Sequence, residues 1–310
     1  MIINTQKAIN LLLASSFLFS FSASAAAKEP ISSPEGKYLV ARNFSTIPDD
    51  AFGEQIKRGY SLFTNSQQMR GKYVMNELNC TNCHLASGRK ENAAPMWAAY
   101  MAYPAYRSKN DRINSFADRV QGCFSYSMNG IAPANDSPEL IALASYSYWL
   151  AVGSMLDQQG LHDVAVPEIS NEILMQGGLH KEFTLPAAIA KAYPIDKRNQ
   201  LPGRGFKMLD KPALEPSSDR GKIVFNDHCA QCHGPDGQGY KANGVQSFPP
   251  LWGDNSYNWG AGMHNVDTAA YFIAENMPFA QSIKLTPQQA WDVATFMNSH
   301  ERPIDPRKKK

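Results

Sequence analysis

Cys80-Thr81-Asn82-Cys83-His84 and Cys229-Ala230-Gln231-Cys232-His233 decide how this chain is read. Two thiols three positions apart can add to the two vinyl groups of one porphyrin while the adjoining imidazole reaches the iron from the same side. Each pentad therefore reads as the attachment site of one covalent haem c, two in all. Cys80, Cys83, Cys229 and Cys232 are the expected thioether positions, and His84 and His233 the expected proximal iron ligands. A zinc site would need two further Cys or His at matched spacing in each half, and the sequence has none.

Upstream, Lys7 is followed by the apolar run Ile9 to Phe21 and by Ala23-Ser24-Ala25-Ala26-Ala27. A basic start, a short apolar stretch and small residues form the pattern of a cleaved signal peptide, placed at 1–27. Ser15, Ser16 and Ser20 interrupt the run, which is shorter than the roughly 20 apolar residues of a membrane span. The expectation is an exported protein of the periplasm, with no membrane span in the mature chain. The formal net charge is +2. The only basic cluster is the tail Arg307-Lys308-Lys309-Lys310, read as solvated, so nucleic acid is not expected as a partner.

An internal repeat sets the domain plan. Arg58-Gly59-Tyr60 precedes the first pentad as Arg220-Gly221-Lys222 precedes the second, each in an amphipathic pattern consistent with a helix running toward the haem. Ser137-Pro138-Glu139 opens an apolar helix through Trp149, and Thr286-Pro287-Gln288 opens one through His300, both with a hydroxyl N-cap and proline at the first helical position. The expected fold is mainly α, with two helical cytochrome c-like domains at 28–156 and 216–310. The connector at 157–215 is rich in Pro and Gly and too long for a passive loop. Its His162 and His180 read as ordinary loop histidines.

The sixth ligand of each iron separates carrying electrons from making bonds. In the second half, Met277 lies in Glu275-Asn276-Met277-Pro278 just before the last helix, where a small cytochrome c brings in its thioether. Met263 and Met297 are the core-filling alternatives. A thioether raises the haem potential, which suits an exit for electrons. In the first half, Met128 precedes Ser137 by the same interval that separates Met277 from Thr286. Cys123, the one cysteine left after both haems take their pairs, is an equal competitor, because iron can hold it as thiolate.

The segment Asn79 to His84, Tyr103-Pro104-Ala105-Tyr106-Arg107, Asp118-Arg119, Cys123-Phe124 and Ser127-Met128-Asn129-Gly130 resembles the tetrathionate-forming thiosulfate dehydrogenases, a family of dihaem cytochromes. The resemblance covers both haem domains, and its most specific part is the block from Tyr103 to Phe124. It implies His/Cys ligation of the catalytic haem, with the family cysteine at Cys123. It also implies coupling of two thiosulfates into tetrathionate, in principle reversibly, with two electrons passed to a periplasmic c-type cytochrome or similar acceptor. In the family the second haem takes lysine or methionine, but Asn276 stands beside Met277 here, so the lysine option is missing. The connector is also longer than the family pattern.

Two thiosulfate dianions at roughly 4 Å repel by several kcal/mol even when solvent-screened, so the pocket needs fixed cations, and guanidinium suits oxyanions. Arg107 and Arg119 are the candidate catalytic partners of Cys123, with Lys109 and Arg112 behind them. The competing readings of Arg119 and Arg112 are a haem-propionate partner and a solvated helix charge. For the whole chain, the competitors are a dihaem electron carrier with Met128 on iron, a dihaem peroxidase, and a sulfur-oxidation cytochrome subunit.

Overall fold

The computed structural model describes residues 43–158, 203–279 and 281–308, the side chains of 153–158 and 245 excepted. The signal peptide expected at 1–27 and most of the expected connector, His162 and His180 included, lie outside the described residues. The described chain is mainly helical, and none of its helices is long and apolar enough to cross a membrane.

Helix α1 (Ala51–Thr64) begins where the Asp50 side chain accepts a hydrogen bond from the Gly53 amide, and buries Phe52, Ile56, Leu62 and Phe63 on one face. It packs on α5 (Pro138–Gln158), which runs past the expected end at Trp149. Between them come the turn α2 (Leu85–Gly88), α3 (Met96–Met101), a hairpin of β1 (Ala105–Arg107) with β2 (Arg112–Asn114), and α4 (Phe116–Gly122). Helix α4 runs into a single π-helical turn at Cys123–Ser127.

The second half repeats the frame. Helix α6 (Ser218–His228) is capped by Ser217, and the pentad forms the short α7 (Ala230–His233). A hairpin of β3 (Tyr240–Ala242) with β4 (Val245–Phe248) and helix α8 (Val266–Asn276) follow. Helix α9 (Pro287–Asn298) starts with the expected proline behind a Thr286–Gln289 capping box and packs on α6. The two short hairpins are the strands that accompany this mainly α fold among the described residues.

The repeated Arg-Gly pair has a physical cause. A Cβ on Gly59 would lie 2.0 Å from the Ala142 carbonyl oxygen of α5, and one on Gly221 would lie 2.0 Å from that of Asp292 in α9. In each half the entry helix thus meets the closing helix backbone to backbone, at a distance that excludes any side chain. The arginine beside each glycine then clamps the pair: Arg220 grips Asp292 at 2.8 Å through both Nε and Nη2, and Arg58 reaches Glu139 at 3.7 Å.

Buried apolar side chains form two clusters. One is built on Trp97, Phe124, Tyr146 and Trp149, the other on Phe225, Phe272, Trp291 and Met297. Polar stitches join the halves. Asn76, fully buried, donates to the Ser127 and Ser256 carbonyls at 2.8 and 3.1 Å. Residues 203–205 lie along the first half, where Gly203 and Gly205 accept from the Asn92 and Ala94 amides at 2.7 Å.

Candidate active site

Beside the first pentad lies a mostly apolar cavity of about 250 Å³, walled by Phe63, Leu78, Met96, Phe116, Val120 and Leu143. Cys80, Cys83 and His84 line it as well. The His84 Nδ1 sits 2.6 Å from the Ala94 carbonyl oxygen. A proton on Nδ1 that donates there leaves the Nε2 lone pair for a metal, the usual orientation of a ligating imidazole. Beside the second pentad is a cavity of about 360 Å³, and there His233 Nδ1 sits 3.1 Å from the Pro249 carbonyl oxygen. Burial pushes the thiols of Cys80 and Cys229 up to about 12 and that of Cys83 to about 11. These are neutral thiols in apolar surroundings. Among the described residues no cluster of three or more His, Cys, Asp or Glu could hold a metal ion. The residues present therefore fit a covalent porphyrin, and His84 and His233 fit its proximal ligands.

Cys123 lines the first cavity together with His84. It ends α4, and Arg119 stands four residues earlier, on the same helix face. The Arg119 Nη1 donates to Cys123 Sγ at 3.0 Å. Burial pushes the Cys123 thiol up, but the Arg119 charge and a hydrogen bond with His84 outweigh it and bring the pKa down to about 7. Cys123 in turn raises the pKa of Arg119, which also hydrogen-bonds Tyr103. Of the cysteines with a resolved shift, Cys123 alone is lowered. The π-helical turn begins at Cys123, a departure from α geometry that recurs at functional sites. Met128 closes that turn; it is 3 % exposed and lines the same cavity.

In the second cavity Met277 follows the last residue of α8 and faces the same space as His233, Met263 and Met297. Asn276, beside Met277, is a strap: it accepts from Lys90 Nζ at 2.6 Å and donates to the Asn92 carbonyl at 3.1 Å. The two cavities adjoin, with Leu78 and Cys83 on the walls of both.

Residues 218–301 match the cytochrome c family, which makes the second half a cytochrome c domain with covalent haem c. Over 261 residues, 84% of this chain and 72% of the relative, the sequence is 44% identical to a thiosulfate dehydrogenase of Stutzerimonas stutzeri (strain A1501). It is 39% identical to a thiosulfate dehydrogenase of Thiomonas intermedia (strain K12) over 98% of this chain and 88% of that one. The chain belongs to the thiosulfate dehydrogenase family. The as-isolated form of thiosulfate dehydrogenase (TsdBA) from Marichromatium purpuratum superposes with a TM-score of 0.69 at 40% identity. The match covers 87% of this chain, which spans 50% of the length of that one.

As a member of this oxidoreductase family, the chain gathers some sequence-level candidates and disperses others. Arg107, at the end of β1, lines the Cys123 cavity with Arg119. Lys109 lies in the hairpin turn and lines a neighbouring space. Arg112 departs from expectation, because it lies on strand β2 rather than a helix and pairs with Asp118 at 2.9 Å, outside both cavities. In the tail, Arg307 and Lys308 are exposed, and Arg307 also pairs with Asp305 at 2.5 Å and donates to the Lys109 carbonyl at 3.3 Å. Sequence reasoning missed Arg204, which lines the Cys123 cavity from residues expected to be connector. The available signal was an arginine between Gly203 and Gly205, whose φ angles of 71° and 79° let that loop turn in toward the first half.

Proposed function

We propose that the chain is a periplasmic enzyme that joins two thiosulfates into tetrathionate. In this reading, domains at 28–156 and 216–310 each hold one haem c. Cys123 and Met277 stand opposite His84 and His233, and 157–215 connects the domains. The observation that carries it is the Arg119–Cys123 contact of 3.0 Å inside the cavity of His84, because a thiol set beside a fixed guanidinium can bind and react with an anionic sulfur compound. A carrier haem needs neither.

The chemistry follows from these side chains. Arg119, Arg107 and Arg204 offset the repulsion that a dianion meets near a thiolate. With Arg119 holding the sulfonate, the outer sulfur of one thiosulfate meets Cys123 Sγ, and an S–S bond forms as two electrons leave. Covalent haem at the two pentads supplies two one-electron acceptors, in adjoining cavities, for passage to an external c-type cytochrome. The outer sulfur of a second thiosulfate then attacks the outer sulfur of the adduct. A new S–S bond forms, the bond to Sγ breaks, and Cys123 returns as thiolate while tetrathionate departs. This second step moves no net electrons and can run in reverse.

Stoichiometry tests the reading. Purified holoprotein with thiosulfate and ferricyanide should form one tetrathionate for every two thiosulfates consumed and two ferricyanides reduced. Sulfite or sulfate as the oxidised product would contradict it.

A further inference from the structure

Arg107, Arg119 and Ser127 line the Cys123 cavity and also a second space of about 500 Å³ beside it. That is far above the ~10–15 Å³ a single water needs. Its walls come from distant parts of the chain: the β1–β2 turn with Lys109, the π-helical turn with Tyr126, the segment Gly260–Asn265, Thr268 of α8, and Arg307 of the tail. The fold therefore builds this vestibule, and no single loop accounts for it.

Its charges are not equivalent. Arg307 is committed to Asp305 through Nε and Nη2, and its Nη1 donates to the Lys109 carbonyl, so it fastens the tail to the hairpin as a neutralised clamp. Asp118, the acid on the wall, is held by Arg112 and by the Ser115 cap. Lys109 donates to the Gly260 carbonyl, and its ammonium lies 3.8 Å from the centre of the Tyr126 ring. An ammonium has three donors, so two remain for a ligand. With Arg107 and the shared Arg119 the vestibule presents net positive charge, and Asn265 and Thr268 add neutral polar groups.

The second half-reaction needs such a space. When Cys123 carries the first thiosulfate, the second must bring its outer sulfur to that adduct while its own sulfonate lies elsewhere. Tetrathionate carries its sulfonates at opposite ends, so one pocket cannot hold both. We propose that the vestibule is a second oxyanion site in which Lys109 and Arg107 hold the sulfonate of the incoming thiosulfate, with Arg119 on the wall between the two anions. The inference rests on the thiosulfate reading above and extends it to the second substrate.

Equilibrium dialysis of thiosulfate against holoprotein tests it without turnover. Cys123→Ser should bind two thiosulfates per chain at saturation, Cys123→Ser with Lys109→Gln one, and Cys123→Ser with Lys109→Arg two again. Two sites in the Lys109→Gln protein, or one in Cys123→Ser alone, would overturn the second site while leaving the thiosulfate reading standing. No binding at all would remove both. With Cys123 intact, Lys109→Gln should leave formation of the Cys123 adduct, read by intact mass, within about twofold, and slow its consumption by thiosulfate about tenfold or more. Equal slowing of both steps would mean that Lys109 only steers anions in, and would also overturn the proposal.

Discussion

The two cavities rest on one scaffold and differ in what faces the pentad histidine. Each lies in a half whose entry helix meets the closing helix at a glycine, Gly59 or Gly221, and each orients its histidine through Nδ1 toward a backbone carbonyl. Arg107, Arg119 and Arg204 line the first together with Cys123. In the second, the described lining residues include Met263, Met277 and Met297 and no Arg, Lys, Asp or Glu. A cationic cavity with a thiol of lowered pKa can draw in a dianion and bond to it. An uncharged thioether-lined cavity discourages anions and favours a reduced iron. Under the proposed function, the same fold would carry a reaction site and an electron exit, distinguished by a handful of side chains.

Substitutions can break that contrast. The largest effect is expected from Cys123→Met, which makes the first cavity resemble the second. Thiosulfate oxidation should fall by roughly 10³-fold or more, with both haems still attached by pyridine haemochrome assay. Substantial residual turnover would mean that Cys123 makes no bond. Next is Arg119→Gln, which removes a charge-assisted hydrogen bond of about 1.5–3 kcal/mol. A rise in KM with a fall in kcat, together roughly 10–100-fold in kcat/KM, is expected at unchanged haem content. Unaltered kinetics with a shifted potential of the first haem would instead make Arg119 a propionate partner. The smallest effect belongs to the second cavity: Met277→Gly should lower the potential of its haem and slow steady-state turnover only a few-fold, while stopped-flow reduction of the first haem by thiosulfate stays intact. An untouched potential would pass the ligand role to Met263.

Much of this was legible in the sequence, for reasons that differ by residue. The pentads fix cofactor chemistry through local spacing. The hydroxyl-proline caps at Ser137 and Thr286 are local demands, and the repeated Arg-Gly marks the helix pairs because the same close approach, at Gly59 and at Gly221, recurs in each half. Cys123 is legible as the odd thiol, level with Met128 until the family resemblance favours it, and Arg119 as a flanking arginine; four residues on a helix suffice to bring the two together. What could not be read depends on long-range closure. Arg204 reaches the cavity only because residues 203–205 bond along the first half, and Arg307 meets Lys109 from 198 residues away. The strands at 105–107 and 112–114 were missed because they are three residues each, too short for a period to emerge. Met277 and Met263 stay together in one cavity, so spacing before the last helix remains the argument for Met277.

In the proposed function Cys123, rather than Met128, would stand opposite His84. The direct measurement is electron paramagnetic resonance with near-infrared magnetic circular dichroism on the fully oxidised holoprotein. One haem should give a low-spin signal of thiolate ligation and the other a thioether charge-transfer band. The thiolate signal should vanish in Cys123→Met and persist in Met128→Ala. Thioether bands from both haems in the unaltered protein, with the first one lost in Met128→Ala, would contradict the claim and leave an electron carrier with a buried, unused cysteine.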